Sequence, residues 1–155
     1  MGRQGCKHLR FIGSCLPSWV HLANVRFHFN GWHTERRYQR RSRSTCTFCQ
    51  GDGSEDSIEH LLHCSVVQAF LPQSFKKGYP PHTPVKYFCL FGIDNTHRIA
   101  MTLFICALYS MHHELRHNPC HMELRQCIFR IAAEVRLSAP LRNVWDEVFG
   151  WSLNH

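Results

Sequence analysis

Acidic residues are scarce in this chain of 155 residues: 11 Asp and Glu stand against 18 Lys and Arg, a formal charge of +7 with the 13 histidines neutral. That imbalance favours polyanionic partners, without choosing between nucleic acid and anionic lipid, and histidine adds positive charge below about pH 6.5. Long apolar runs are also missing. The best one, Ile99 to Tyr109, is interrupted by Thr102. It falls well short of the roughly 20 residues a membrane helix needs, so a buried helix and no membrane partner are expected. The first residues, Met1 to His8, contain no apolar stretch of the kind a secretory signal requires. Enzyme signatures are absent too: no P-loop, no dinucleotide glycine fingerprint, no HExxH and no GxSxG. Asp94 and Asp146 are isolated rather than paired, so no carboxylate site for two-metal chemistry is evident. The expectation is a protein without catalytic activity.

Cysteine is abundant, with nine residues. Four of the potential ligands fall into one pattern: Cys46, Cys49, His60 and Cys64 spell C-x2-C-x10-H-x3-C. A CxxC turn aims two thiolates at one point, and residues four apart share a helix face. Soft and borderline N and S donors converging from a turn and a helix suit a closed tetrahedral zinc site, with ligand atoms within about 4 Å of one another. The alternative is a reduced CxxC beside a helix that happens to carry His and Cys. The flanking residues agree with the metal reading. Gly51-Asp52-Gly53-Ser54 predicts a tight turn. Asp56 with Glu59 offers a capping box, and Ile58, Leu61, Leu62, Val66 and Ala69 supply one buried helical face ending before Pro72. His63 is expected in solvent. The remaining cysteines, Cys6, Cys15, Cys89, Cys106, Cys120 and Cys127, show no framework spacing. This points to a reducing, intracellular compartment, nucleus or cytoplasm.

The rest of the chain reads as mainly α. Residues 1–17 carry no strong signal. Pro17-Ser18 opens a helix running to Phe29, although the alternation Val25, Phe27, Phe29 also fits a strand. Pro72, Pro80, Pro81 and Pro84 mark a linker. Asn95 or Thr96 caps a helix from His97 to His117, and Asn118-Pro119 starts another with Leu124, Cys127, Ile128, Ile131 and Val135 on one face. Ser138 and Pro140 open a last helix carrying Leu141, Val144, Trp145 and Val148, ended by Gly150. The expected architecture is a small CCHC zinc module, a turn plus a helix, packed beside a C-terminal helical bundle. Its segments are an N-terminal helical and basic segment over 1–45, the zinc module over 46–70, a linker over 71–94 and the bundle over 95–155.

Directly before Cys46 stands Arg36-Arg37-Tyr38-Gln39-Arg40-Arg41-Ser42-Arg43. Guanidinium forks match phosphate oxygens, and Trp32 and Tyr38 offer planar faces to bases. On a helix Arg36 with Arg40, and Arg37 with Arg41, form two basic rows whose repulsion an anionic partner would relieve. Trp32, Arg36, Arg37, Tyr38, Arg40, Arg41 and Arg43 are therefore the candidate contacts to RNA or DNA, and the bland alternative is a solvated basic face. His112, His113 and His117, with Cys120 and His121, form a second His/Cys group. It reads either as a histidine-rich helix end favoured by the dipole or as a second metal site.

Cys46-x2-Cys49 with Ser57-Ile58-Glu59-His60-Leu61-Leu62-His63-Cys64 resembles the zinc-binding region that follows the polymerase in non-LTR retrotransposon reverse transcriptases. Upstream, Phe29-Asn30-Gly31-Trp32-His33-Thr34-Glu35-Arg36-Arg37-Tyr38 resembles the segment leading into that region. Downstream, Ile99-Ala100 through Leu108-Tyr109 and His113-Glu114-Leu115-Arg116 resembles the helix that follows it. The likeness covers residues 18–117, and the ligand pattern carries most of its specificity. It implies a zinc module associated with nucleic acid and with a reverse transcriptase core, with the metal held by Cys46, Cys49, His60 and Cys64. The polymerase's Tyr-x-Asp-Asp motif does not occur, so the expectation is a terminal fragment or a shortened reading frame. Two other readings stand beside it: a zinc-stabilised helical protein-interaction module, and a degenerate retroelement remnant.

Overall fold

The computed structural model describes residues 3–29, 45–51, 54–71 and 93–117, together with Asn143 and Glu147. The protein is mainly helical with a CCHC cluster. Among the described residues the only β pairing is one antiparallel bridge, Thr45 with Glu55. The helices are α1 (Arg3–Cys15), α2 (Ser18–His28), α3 (Ile58–Leu61), α4 (Ser65–Phe70) and α5 (Asn95–His117).

The centre of the fold is α5. Every residue from Arg98 to Leu108 is buried, so this helix is covered all round, as its unbroken apolar run requires. Its start lies two residues before the expected His97. The cap is Asp94, whose carboxylate accepts the His97 backbone N–H at 2.9 Å and contacts its Nδ1 at 2.7 Å. Burial alone would raise the Asp94 pKa, but the His97 backbone N–H and ring outweigh it and hold the carboxyl below its ordinary value. A negative charge at this helix end also matches the dipole.

Helix α2 packs on α5, and α1 packs on both. Residues Val20, Ala23, Asn24 and Phe27 are the buried positions of α2, a 3.6-residue repeat that decides between the helix and the alternative strand. The buried Asn24 ties the two helices together: its amide donates to Val20 O at 3.1 Å and, across the interface, to Thr102 O at 2.9 Å. The Arg26 guanidinium lies over Tyr109 and donates to its hydroxyl at 2.6 Å. Helix α1, which carried no strong sequence signal, buries Leu9 and Ile12, with Leu16 just beyond its end, and stacks Phe11 under Arg98. Pro17 then sits immediately before α2, where its fixed φ of −54° turns the chain without losing a helical N–H.

One core runs from these helices into the CCHC module. Ile12, Val20, Phe27, Phe104 and Leu108 belong to the same buried cluster as Leu61, Cys64, Val67 and Leu71. No helix among the described residues is long and apolar enough to cross a membrane. The arginine segment with Trp32, residues 72–92 of the Pro-containing linker and, apart from Asn143 and Glu147, the two helices predicted after Asn118 lie outside the described residues. Asn143 and Glu147 have helical backbone.

Candidate metal centre

Residues 45–51 fold back against Ser54 and Glu55. The backbone N–H of Cys46 donates to Ser54 O at 3.3 Å and to Ser54 Oγ at 3.2 Å. The Gln50 N–H donates to Cys46 O at 2.9 Å, wrapping the CxxC segment around its two thiols. The chain leaves this knuckle through Gln50 at φ 48°, in the left-handed region, the only non-glycine residue described there. The Ser54 N–H then donates to Gly51 O at 3.0 Å and closes the predicted turn over 51–54.

The following segment differs from the single capped helix expected over 57–71. Its cap is Ser57, whose Oγ accepts the His60 N–H at 3.1 Å. Asp56 is buried elsewhere, and Glu59 is exposed. Helix α3 lasts four residues before the chain tightens, with His63 N–H donating to His60 O at 2.9 Å. Cys64 takes an extended ψ of 123° and becomes the residue before α4. The Gln68 side chain donates to Leu62 O at 2.6 Å and satisfies a carbonyl the break leaves open. His60 and Cys64 therefore do not share one helix face. They approach the CxxC turn from two short helices, and the break is what turns the Cys64 thiol into the core. His63 is exposed, as expected.

The four predicted ligands converge. One atom from each of Cys46, Cys49, His60 and Cys64 lies within 4.8 Å of all the others. Cys49 Sγ is 3.3 Å from His60 Nε2, and Cys46 Sγ is 4.0 Å from Cys64 Sγ. Metal–sulfur bonds of about 2.3 Å and metal–nitrogen bonds of about 2.0 Å in a tetrahedron put ligand atoms about 3.5–3.8 Å apart. The two measured contacts bracket that spacing, and the 4.8 Å limit exceeds the expected 4 Å, so closure asks for a contraction of about 1 Å. Cys46 and Cys64 are buried, Cys49 and His60 half-buried. Three thiols and one imidazole, with no carboxylate among the four, fit a closed structural site.

The two ends of the CxxC turn differ electrostatically. Burial pushes the Cys46 thiol up to about 12, against the backbone N–H groups of Cys49 and Phe48, and neighbouring Cys64 adds to the rise. Burial also acts on Cys49, but the Gly51 N–H, the Ser54 hydroxyl and His60 overcome it and bring its thiol down to about 6. The thiolate form is thus favoured at Cys49 and disfavoured at Cys46, where a bound metal would have to displace the proton to solvent.

A pair that the sequence did not single out fastens this module to α5. His112 Nε2 lies 3.0 and 3.3 Å from the two carboxylate oxygens of Asp56, and both side chains are almost fully buried. Thr47 Oγ1 donates to the same carboxylate at 3.5 Å, and the His112 ring tilts against Phe48. The tether thus reaches the segment between the two CxxC cysteines. A signal existed for His112: with Met101, Ile105 and Leu108 it continues the buried heptad-like stripe of α5. None pointed to Asp56 as its partner, 56 positions away. His113 is exposed instead, so the histidines of this helix end divide between core and solvent.

No family model, no curated protein and no solved structure matches the chain. The ligand geometry carries the functional argument.

Proposed function

We propose that this chain is a non-catalytic zinc-binding module of a retroelement reverse-transcriptase protein, holding RNA or DNA through its arginine cluster. The observation that carries the proposal is the convergence of Cys46, Cys49, His60 and Cys64 within 4.8 Å. Three sulfurs and one imidazole nitrogen select a borderline-soft ion of tetrahedral preference, and zinc is the redox-inert member of that class. In this reading Zn2+ locks the CxxC turn against the two short helices. The segment 36–43, which enters the module at Thr45, is then anchored at its C-terminal end, and its five arginines face phosphate. Lys7, Arg10 and Arg26 add exposed cations on α1 and α2. The family resemblance supplies the reverse transcriptase core as the protein partner.

A second reading, a zinc-stabilised protein-interaction module, draws on one observation. Trp19 and Leu22 on α2, and Phe29 just beyond its end, are exposed large apolar residues. The apolar run of α5, with Leu103, Phe104 and Leu108, is buried and offers no such surface.

Metal analysis of purified protein, joined to RNA and DNA binding across a salt series, tests the proposal. One zinc per chain with steeply salt-dependent binding is expected. Zinc without nucleic-acid binding would move the interaction reading ahead, and full metal occupancy in a Cys46→Ser/Cys49→Ser variant would end the zinc assignment. Primer extension by the purified chain, abolished by replacing its own acidic residues, would overturn the non-catalytic reading.

A further inference from the structure

The CCHC cluster leaves a second group of metal-ligating side chains unused. His113 and His117 occupy the last turn of α5, four residues apart, and both are exposed. Their rings meet edge to face with centroids 4.8 Å apart. Two imidazoles one helical turn apart can each offer one neutral nitrogen to the same ion, which is how an i, i+4 histidine pair on a helix chelates metal. The local field favours a cation there. The negative pole of the α5 dipole lies at these residues.

We propose that His113 and His117 form a second, exchangeable site for a divalent first-row metal that prefers imidazole: Cu2+ most tightly, then Ni2+ and Zn2+. It differs from the cysteine centre in each respect that sets exchange. It has two protein ligands rather than four, nitrogen rather than sulfur donors, and exposure rather than burial. Water completes its coordination, so the ion enters and leaves without unfolding anything, and while bound it links successive turns of the helix. His112, the neighbouring residue, is excluded from this site because its ring is engaged with Asp56 in the core.

The test uses the full chain, first given one equivalent of zinc and then passed over a resin to remove loose metal. Ni2+ is titrated in, followed by calorimetry and by broadening of histidine ring proton signals, since Ni2+ is paramagnetic. Nickel entering the cysteine centre would show sulfur-to-metal charge-transfer absorption, which an imidazole site lacks, so the two centres are read apart. The parent is expected to bind one further equivalent without that absorption, broadening His113 and His117 first. Losing a residue that merely hydrogen-bonds to a metal's ligand costs about 10–100-fold in affinity, so His113→Asn and His117→Asn, which remove a ligand itself, should each weaken Ni2+ binding at least that much. His63→Asn, at another exposed histidine, should leave it unchanged. The proposal is overturned if the parent binds no further equivalent. It is equally overturned if both variants bind Ni2+ as the parent does, or if His63→Asn weakens binding as much as they do.

Discussion

Replacing His112 by alanine should be among the most damaging single changes in the described part of this protein. His112 and Asp56 lie 3.0 Å apart, with side-chain exposures of 4% and 3%. With a neutral imidazole the pair is a hydrogen bond to a charged group, worth about 1.5–3 kcal/mol. With a protonated one it is a buried ion pair, and removing one partner of such a pair costs about 3–5 kcal/mol, because the other charge is left buried. The variant removes the closer partner of the Asp56 carboxylate, Thr47 Oγ1 standing at 3.5 Å, so a loss reaching into the upper range is expected. A loss of 3–5 kcal/mol lowers the folding constant roughly 100- to 5000-fold and takes a large share of the 5–15 kcal/mol typical of a domain. Urea unfolding of zinc-loaded protein, followed by circular dichroism, measures it. The double variant Asp56→Leu/His112→Leu is the decisive companion. Exchanging both partners for apolar groups of similar volume is often neutral, so it should recover most of the loss. The reasoning is refuted if His112→Ala costs less than about 0.5 kcal/mol, the range of ordinary surface changes, or if the two sites prove additive.

Four further outcomes are expected. Cys49→Ser or His60→Ala should release zinc and expose the amides of 46–70 to hydrogen exchange, while the α2–α5 contact through Asn24 persists. In metal-free protein at neutral pH, iodoacetamide should modify Cys49 ahead of Cys46, read by peptide mass spectrometry, because one thiol is held near 6 and the other near 12. The sign for stability follows: the lowered Cys49 pKa contributes stability that is complete above the ordinary 9.0 and is lost as pH falls through about 6, whereas raised Cys46 costs stability only as pH climbs from 9.0 towards 12. In metal-free protein a Cys49→Ser variant should therefore lose less stability than the parent as pH falls from 9.0 to about 6. For the arginines, each phosphate contact removed among Arg36, Arg37, Arg40, Arg41 and Arg43 should reduce the log–log salt slope by about 0.7–0.9, and Trp32→Ala or Tyr38→Ala should penalise single strands more than duplex. Unchanged RNA and DNA binding in the arginine variants would reduce the cluster to a solvated basic face.

Much of the CCHC cluster was legible in the linear chain because its geometry is local. Cys46 and Cys49 are brought together by a turn of a few residues, and His60 and Cys64 follow within one supersecondary unit, so spacing and ligand type were enough to select the four. Helices α2 and α5 were legible for a related reason: their apolar periodicity and run length are properties of consecutive residues. The alternation Val25, Phe27, Phe29 admitted a strand, and only packing against α5 settled it, by burying Val20, Ala23, Asn24 and Phe27 instead. Helix α1 offered little in isolation, since Leu9, Ile12 and Leu16 acquire meaning as a face only once α2 and α5 cover them. Capping went to Ser57 rather than Asp56, because Asp56 had a competing partner that no local rule contains. The same holds for the break at Leu62–Cys64. Helix propensity favours continuing, but burying the Cys64 thiol beside Cys46 needs the chain to turn, and the tertiary arrangement prevails. The sequence alone therefore determined which residues form the centre and where the two principal helices run, since both are encoded in short-range spacing. The tertiary structure decided how the centre is held, through Asp56, His112 and the turn into Cys64, because those contacts depend on which distant groups share a buried, low-dielectric space.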